Sequence, residues 1–273
     1  METTVDSSQN PASFLQIGDL VAGSFFFSSF ALLIVALFMA FQIQSIASNW
    51  RTPYILAILI PFIAALNSFY RRNYWVITQT SPVEFRFFDW FLTVPLMAVV
   101  FYYMLKSRGA KLPMFVGLLI FSMWMLGFGY LGEAVYPENS ALWGVAGSIG
   151  FAGIIGIIMG GGYPKIFGKD VNPYLRKGYL VLSIMLPIGW SVYPLGYMTV
   201  PGNILEGQLS ENFVYVMYNF ADVFNKAGLA LGVYWIASRI SRSQEEELLA
   251  AELQKMSSNN IYTKKIPTSL KDA

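Results

Sequence analysis

The sequence predicts an all-α membrane protein, a seven-transmembrane-helix bundle with its N-terminus extracellular and its C-terminus cytoplasmic. Three observations predict it. Hydrophobic residues make up 55% of the 273 and charged residues 12%, about half the charged share of an ordinary soluble domain. The apolar residues fall into seven long stretches, each near the roughly 20 residues that cross a bilayer. Lysine and arginine crowd the loops of one side, the asymmetry that orients membrane chains.

The first six stretches are free of charge: 20–50, 52–70, 90–105, 112–132, 139–164 and 178–205. The seventh, 212–240, is interrupted by Asp222 and Lys226. Turn signals separate them: Lys106-Ser-Arg-Gly-Ala-Lys111, Tyr136-Pro-Glu-Asn139 and Gly160-Gly-Gly-Tyr-Pro164. With seven spans, one side holds Arg51, Lys106, Arg108, Lys111, Lys165, Lys169, Arg176, Lys177, Arg239 and Arg242. The other holds Arg71, Arg72 and Arg86 beside Glu84, Glu133, Glu138, Glu206 and Glu211. The cationic side is expected in the cytoplasm of a multi-pass cell-membrane protein. The N-terminus lacks the positive region of a signal peptide, so the first span is expected to direct its own insertion. The division that follows is an extracellular segment 1–13, a seven-helix domain 14–241 and a polar cytoplasmic tail 242–273. That tail reads as solvated, with a short amphipathic extension of the seventh helix as the alternative. Trp50, Trp75 and Tyr74 read as interfacial aromatics.

Composition also removes whole chemistries. There is no cysteine and no histidine. Disulfides, thiolate nucleophiles, Cys/His metal centres and His-based triads are excluded, and no metal site or enzyme activity is expected. A net charge of +2 is too small for a nucleic-acid partner. The partners expected are the lipid bilayer and protons.

Ionisable residues at mid-membrane are costly and mark function. Asp89, Asp222 and Lys226 lie deepest, with Arg86 one turn outward of Asp89. Asp222 and Lys226 stand four apart, on one helix face. Arg86, Asp89, Thr93, Met97 and Val100 step by three and four along another face. Two polar stripes can therefore meet inside the bundle. A lysine there is either a structural ion pair joining the third and seventh spans, or a desolvated amine that condenses with an aldehyde. Trp90, Trp190, Tyr193 and Tyr218 sit at the same depth and outline a slot for a long flat polyene.

These residues resemble the microbial rhodopsins, in particular the proteorhodopsin-like branch. The motifs are Phe85-Arg-Phe-Phe-Asp89-Trp-Phe-Leu-Thr93-Val-Pro95-Leu, Gly129-Tyr-Leu-Gly-Glu133-Ala, Gly189-Trp-Ser-Val-Tyr-Pro-Leu-Gly-Tyr197 and Tyr218-Asn-Phe-Ala-Asp222-Val-Phe-Asn-Lys226. They stand in order within about residues 15–240. The resemblance implies all-trans retinal on Lys226 as a protonated Schiff base. It implies Asp89 as primary counterion and proton acceptor, Asp222 as second counterion, and Arg86 ordering water beneath them. Thr93 would bond near Asp89. Trp90, Trp190, Tyr193, Pro194 and Tyr218 would line the polyene, and Met97 would take the colour-tuning position that favours green absorption.

Two positions depart from the branch. Asn67 stands where a histidine usually accompanies the counterion, and Val100 stands where outward pumps carry an acidic proton donor. A light-driven outward proton pump with slow, donor-less reprotonation is the favoured expectation. A photosensor or slow photoswitch with a soluble cytoplasmic transducer is the alternative. A sodium pump does not fit Asp89, Thr93 and Val100, a chloride pump would meet repulsion from Asp89, and a channel would need more polar lining. Glu206 and Glu211 are candidates for proton release, or ordinary loop acids. Glu133 reads as structural. Gly147, Gly150, Gly153 and Gly156 read as a close-packing stripe or as an opening for a carotenoid antenna. The family's habit also implies a homo-oligomer.

Overall fold

The computed structural model describes residues 18–263; the expected segment 1–13 lies outside them. Seven helices run in sequence. They are α1 (Leu20–Phe41), α2 (Arg51–Thr78), α3 (Val83–Leu105) and α4, formed by Leu112–Tyr130 and the wider π turn Leu131–Val135. Next comes α5, formed by Ser140–Gly156, the π turn Ile157–Gly161 and Gly162–Ile166. Then α6 joins Pro173–Trp190 to Val192–Tyr197. Last, α7 joins Glu211–Asp222, the π turn Val223–Ala227 and Gly228–Thr263. Among the described residues no strand occurs. Six of the helices are long and apolar enough to cross a membrane; the seventh is the one divided around Asp222 and Lys226.

Sequence neighbours pack side by side, and α7 closes the bundle against α1, α2 and α6. Central α3 is buried over most of its span, whereas α4 and α5 turn most of their surface outward. That outer surface is apolar, with Phe30, Ile34, Leu142, Val145 and Ile184 exposed, as lipid requires in place of water. Because lipid offers no hydrophobic drive between helices, polar stitches and small residues hold them together. Asp19 caps α1 by accepting from Ala22 N and also accepts from Trp75 Nε1 on α2, both at 2.9 Å. Ser28 Oγ donates to Asn219 O at 2.9 Å, and Asn219 Nδ2 donates to Ser24 Oγ at 2.8 Å, joining α1 to α7. Pro61, Pro95 and Pro187 lie inside α2, α3 and α6, where neighbouring helices make such interruptions tolerable.

The glycines of α5 divide in use. A Cβ on Gly150 would stand 2.7 Å from both Met125 N and Phe121 O, so α4 and α5 touch backbone to backbone there. Gly150→Ala is therefore expected to cost about 1–3 kcal/mol by overpacking, read as a lowered thermal unfolding temperature in detergent. Gly156→Ala, which meets open space, is the control expected to leave that temperature unchanged.

The structure bears on three sequence expectations. Arg71 and Arg72 are not loop charges: both lie within α2 and are buried, so the positive loops are more one-sided than the raw count. Trp50 and Trp75, near the two ends of α2, are buried against the bundle. The boundary at 241/242 is not a structural break, because α7 runs unbroken from Gly228 to Thr263. Residues 242–263 continue the helix, and most of 242–258 are exposed.

Candidate functional site: a buried lysine at the end of an aromatic cavity

The predicted face of α3 is real. Arg86, Asp89, Thr93, Met97 and Val100 are each at most 2% exposed. From α7, the π turn Val223–Ala227 carries Lys226, which is 1% exposed, into the same interior. A π turn admits an extra residue per turn and recurs at functional sites. Lys226 Nζ donates to Asp89 Oδ2 and lies 3.3 Å from Asp222 Oδ2. Asp222 Oδ1 in turn accepts from Tyr193 Oη at 2.7 Å. Asn225 Nδ2 donates to the same Tyr193 hydroxyl at 3.3 Å. Asp89 Oδ1 is buried without a partner. Thr93 Oγ1 donates to the Asp89 backbone carbonyl at 3.0 Å, fixing the helix beneath the carboxylate rather than the carboxylate itself.

A cavity of about 360 Å³ runs from Lys226 between α3, α4, α5 and α6. Its walls include Trp90, Val94, Met97, Met125, Phe151, Trp190, Tyr193, Pro194 and Tyr218. Trp90 meets Tyr193 edge-on at 4.9 Å between centroids, and Phe151 lies 6.2 Å from Trp190. All six residues predicted to line a polyene slot are on this wall. Gly189 permits the closure of α6 on α7, since a Cβ there would meet Asn225 Oδ1 at 1.8 Å. The volume suits a small-molecule ligand. A long apolar molecule bearing one aldehyde would match the lining and the amine at its end.

Glu133, read as structural, lines the cavity and forms an ion pair with Arg86. Arg86 also lies 4.9 Å from the Tyr218 ring centroid. Asn67 does not bond Asp89; its Nδ2 donates to Phe85 O at 3.0 Å. Glu206 accepts from Gly202 N at 2.9 Å in an exposed loop, and Glu211 is exposed in the first turn of α7. Neither lines the cavity. Val100 is fully buried. On its side of the bundle the acids of the described residues, Asp170, Glu245, Glu246, Glu247 and Glu252, are all exposed.

Sequence reasoning missed two residues of this site: Glu133 as the partner of Arg86, and Asn225 beside Tyr193. Each pairing joins two successive helices, α3 with α4 and α6 with α7, and has no local signature.

Comparison with known proteins agrees with this geometry. The chain is 32% identical over 235 residues to the blue-light absorbing proteorhodopsin of Gamma-proteobacterium Hot 75m4, covering 83% of this chain and 90% of that one. It is 31% identical over 230 residues to the green-light absorbing proteorhodopsin of Gamma-proteobacterium EBAC31A08, with the same coverage. The fold matches that of xanthorhodopsin, described as a light-driven ion pump with dual chromophore. The TM-score is 0.72 at 24% identity, covering 83% of this chain and 95% of that one. The bacteriorhodopsin-like protein family matches over residues 20–238. With its buried lysine, paired carboxylates and aromatic cavity inside seven helices, the chain belongs to that family, the microbial rhodopsins of the cell membrane.

Proposed function

We propose that this protein is a retinal-binding, light-driven outward proton pump whose reprotonation step lacks an internal donor. The observation that carries the reading is the placement of Lys226 Nζ between Asp89 and Asp222 at the end of the aromatic cavity. Retinal held there supplies light absorption and a light-driven change of shape. Lys226 Nζ holds the chromophore and, in the dark, a proton. Asp89 and Asp222 stabilise that positive charge where low dielectric strengthens Coulomb attraction. Trp90, Trp190, Tyr193 and Pro194 confine the ligand and exclude water, and Met97 sets the environment of its far end for green absorption. On illumination Asp89 Oδ2 accepts the proton from Lys226 Nζ. The Arg86–Glu133 pair holds the outward side, with Glu206 and Glu211 at the mouth from which protons leave.

The N-terminus is outside and the C-terminus inside, because the lysine and arginine of the loops face one way. The proton that returns to Lys226 Nζ comes from bulk water past Val100. Its supply falls tenfold per pH unit, so recovery of the dark state slows as pH rises. Val100→Glu is expected to accelerate recovery about 100-fold, the lower end of the range for a positioned proton-transfer group. Flash absorption at neutral and alkaline pH reads both effects.

A sensory reading has its own support. Helix α7 continues to Thr263 and exposes Leu248, Leu249, Leu253 and Met256, an apolar stripe a transducer would cover. An antenna carotenoid has one too: Gly147 and Ser148 line the cavity, and Ser148 is exposed on the lipid-facing side of α5. The test of the main reading is light-driven pH change in an unbuffered suspension of expressing cells supplied with retinal. Acidification abolished by a protonophore is the expected result. A coloured protein that leaves pH unchanged overturns the pump and favours the sensor.

A further inference from the structure

We propose that the cleft between the start of α4 and the end of α5 binds one anionic phospholipid, its phosphate held by Lys111 and Lys165 and an acyl chain laid along the cleft. The site is separate from the cavity at Lys226. Its leaflet, the cytoplasmic one, rests on the orientation proposed above.

The cleft measures about 450 Å³. It opens on the outer surface of the bundle, where Pro113, Gly156 and Gly161 of its lining are exposed. Pro113, Met114 and Ile157 give it an apolar wall, and Lys111 and Lys165 line it too. Its room comes from α5. A Cβ on Gly156, Gly160 or Gly161, in and before the π turn Ile157–Gly161, would meet nothing within 4 Å. The helices close again at Gly117, where a Cβ would stand 2.8 Å from Ile157 Cδ1. This π turn, unlike the one that carries Lys226, has no part in the site described above.

The charges around the cleft lack an anion. Lys111 directly precedes α4, its side chain caps nothing, and the first turn holds no acid. A helix N-terminus is partly positive, so it favours an anion there and not an ammonium. Lys165 Nζ donates to Gly109 O at 2.9 Å, which holds a second ammonium beside the loop that bears Lys111. Among the described residues neither lysine has a carboxylate within ion-pair distance. The neighbouring cations are turned elsewhere: Arg108 Nη1 donates to Asp170 O at 3.3 Å, and Lys106 Nζ lies 5.6 Å from the Tyr103 ring centroid. A free phosphate would satisfy the lysines and leave the apolar wall bare. An anionic lipid satisfies both, as in other basic pockets between spanning helices.

Native mass spectrometry of the purified protein in detergent, mixed with phosphatidylglycerol or phosphatidylcholine of the same chains, tests this. The unmodified protein is expected to retain a single phosphatidylglycerol in preference to phosphatidylcholine. In Lys111→Gln/Lys165→Gln that preference is expected to fall about 30-fold, the share of two lysines near an anionic headgroup. Lys169→Gln/Lys177→Gln removes the same charge from the same side, outside the cleft, and is expected to leave the preference unchanged. Gly161→Leu fills the cleft and is expected to weaken retention of phosphatidylglycerol without lowering the unfolding temperature. No preference in the unmodified protein, an equal fall in both lysine pairs, or full retention in Gly161→Leu overturns the proposal. Inorganic phosphate that displaces the lipid at equal concentration would make the occupant a free anion. Oligomers that carry no lipid would make it a second copy of the chain. Either result also overturns the proposal. No readout uses light or retinal, and none depends on which leaflet the cleft faces, so failure of the pump reading is distinguishable from failure of this inference.

Discussion

Lys226→Ala is expected to abolish pigment formation with all-trans retinal. Lys226 Nζ is the amine at the end of the cavity, and the other lysines of the described residues, Lys106, Lys111, Lys165, Lys169, Lys177 and Lys255, do not line it. Absorption spectra of purified protein after incubation with retinal read the result directly. The substitution also leaves Asp89 and Asp222 facing each other without their cation, and one of them must take up a proton to avoid repulsion. Lys226→Ala/Asp222→Asn relieves that repulsion and serves as the folding control. A visible band in either variant would move the attachment site elsewhere and remove the basis of the proposed function. Lys226→Arg is expected to stay colourless too, since a guanidinium remains protonated and does not condense with an aldehyde.

Asp89→Asn is expected to separate colour from transport. Lys226 remains, so retinal still binds, but the acceptor oxygen that receives its proton is gone. Light-driven acidification is expected to fall about 100-fold or more, the usual range for losing a positioned acid–base group. The absorption is expected to shift to longer wavelength, because removing a negative charge beside the chromophore stabilises its localised ground-state charge less. Asp222→Asn is expected to be milder for transport. Asp222 is held by Tyr193 Oη at 2.7 Å and stands 3.3 Å from Lys226 Nζ, whereas Asp89 is the direct hydrogen-bond acceptor of the lysine. Equal loss in both variants would mean that the two carboxylates act as one unit. Full transport in Asp89→Asn would dismiss it as the acceptor.

Much of this site was legible in one dimension because it is built on helix faces. The run Arg86, Asp89, Thr93, Met97 and Val100 has helical spacing, and each member is buried as that spacing requires. Asp222 and Lys226 are likewise one turn apart and within 3.3 Å. The aromatic wall was legible in part: Trp90, Trp190 and Tyr193 on neighbouring helices, with Tyr218 two turns from Lys226 on α7 itself, line one cavity. Particular pairings between helices were not legible. Glu133 finds Arg86 47 residues away, and Asn219 finds Ser24 195 residues away. Arg71 and Arg72 were read as outer charges because hydropathy ends a span at its first charged residue. The helix in fact continues to Thr78 and buries both.

The sequence by itself determined the membrane class, the seven helices, and the residue types able to do chemistry in a chain without cysteine or histidine. Those properties follow from composition and from a period of 3.6 residues, which neighbouring residues carry. The tertiary structure alone decided which carboxylate serves which cation: Asp89 and Asp222 around Lys226, and Glu133 on Arg86. Pairing depends on helix rotation and on where a π turn redirects a side chain. In a medium without water, the net charge of the buried cluster must close across several helices at once.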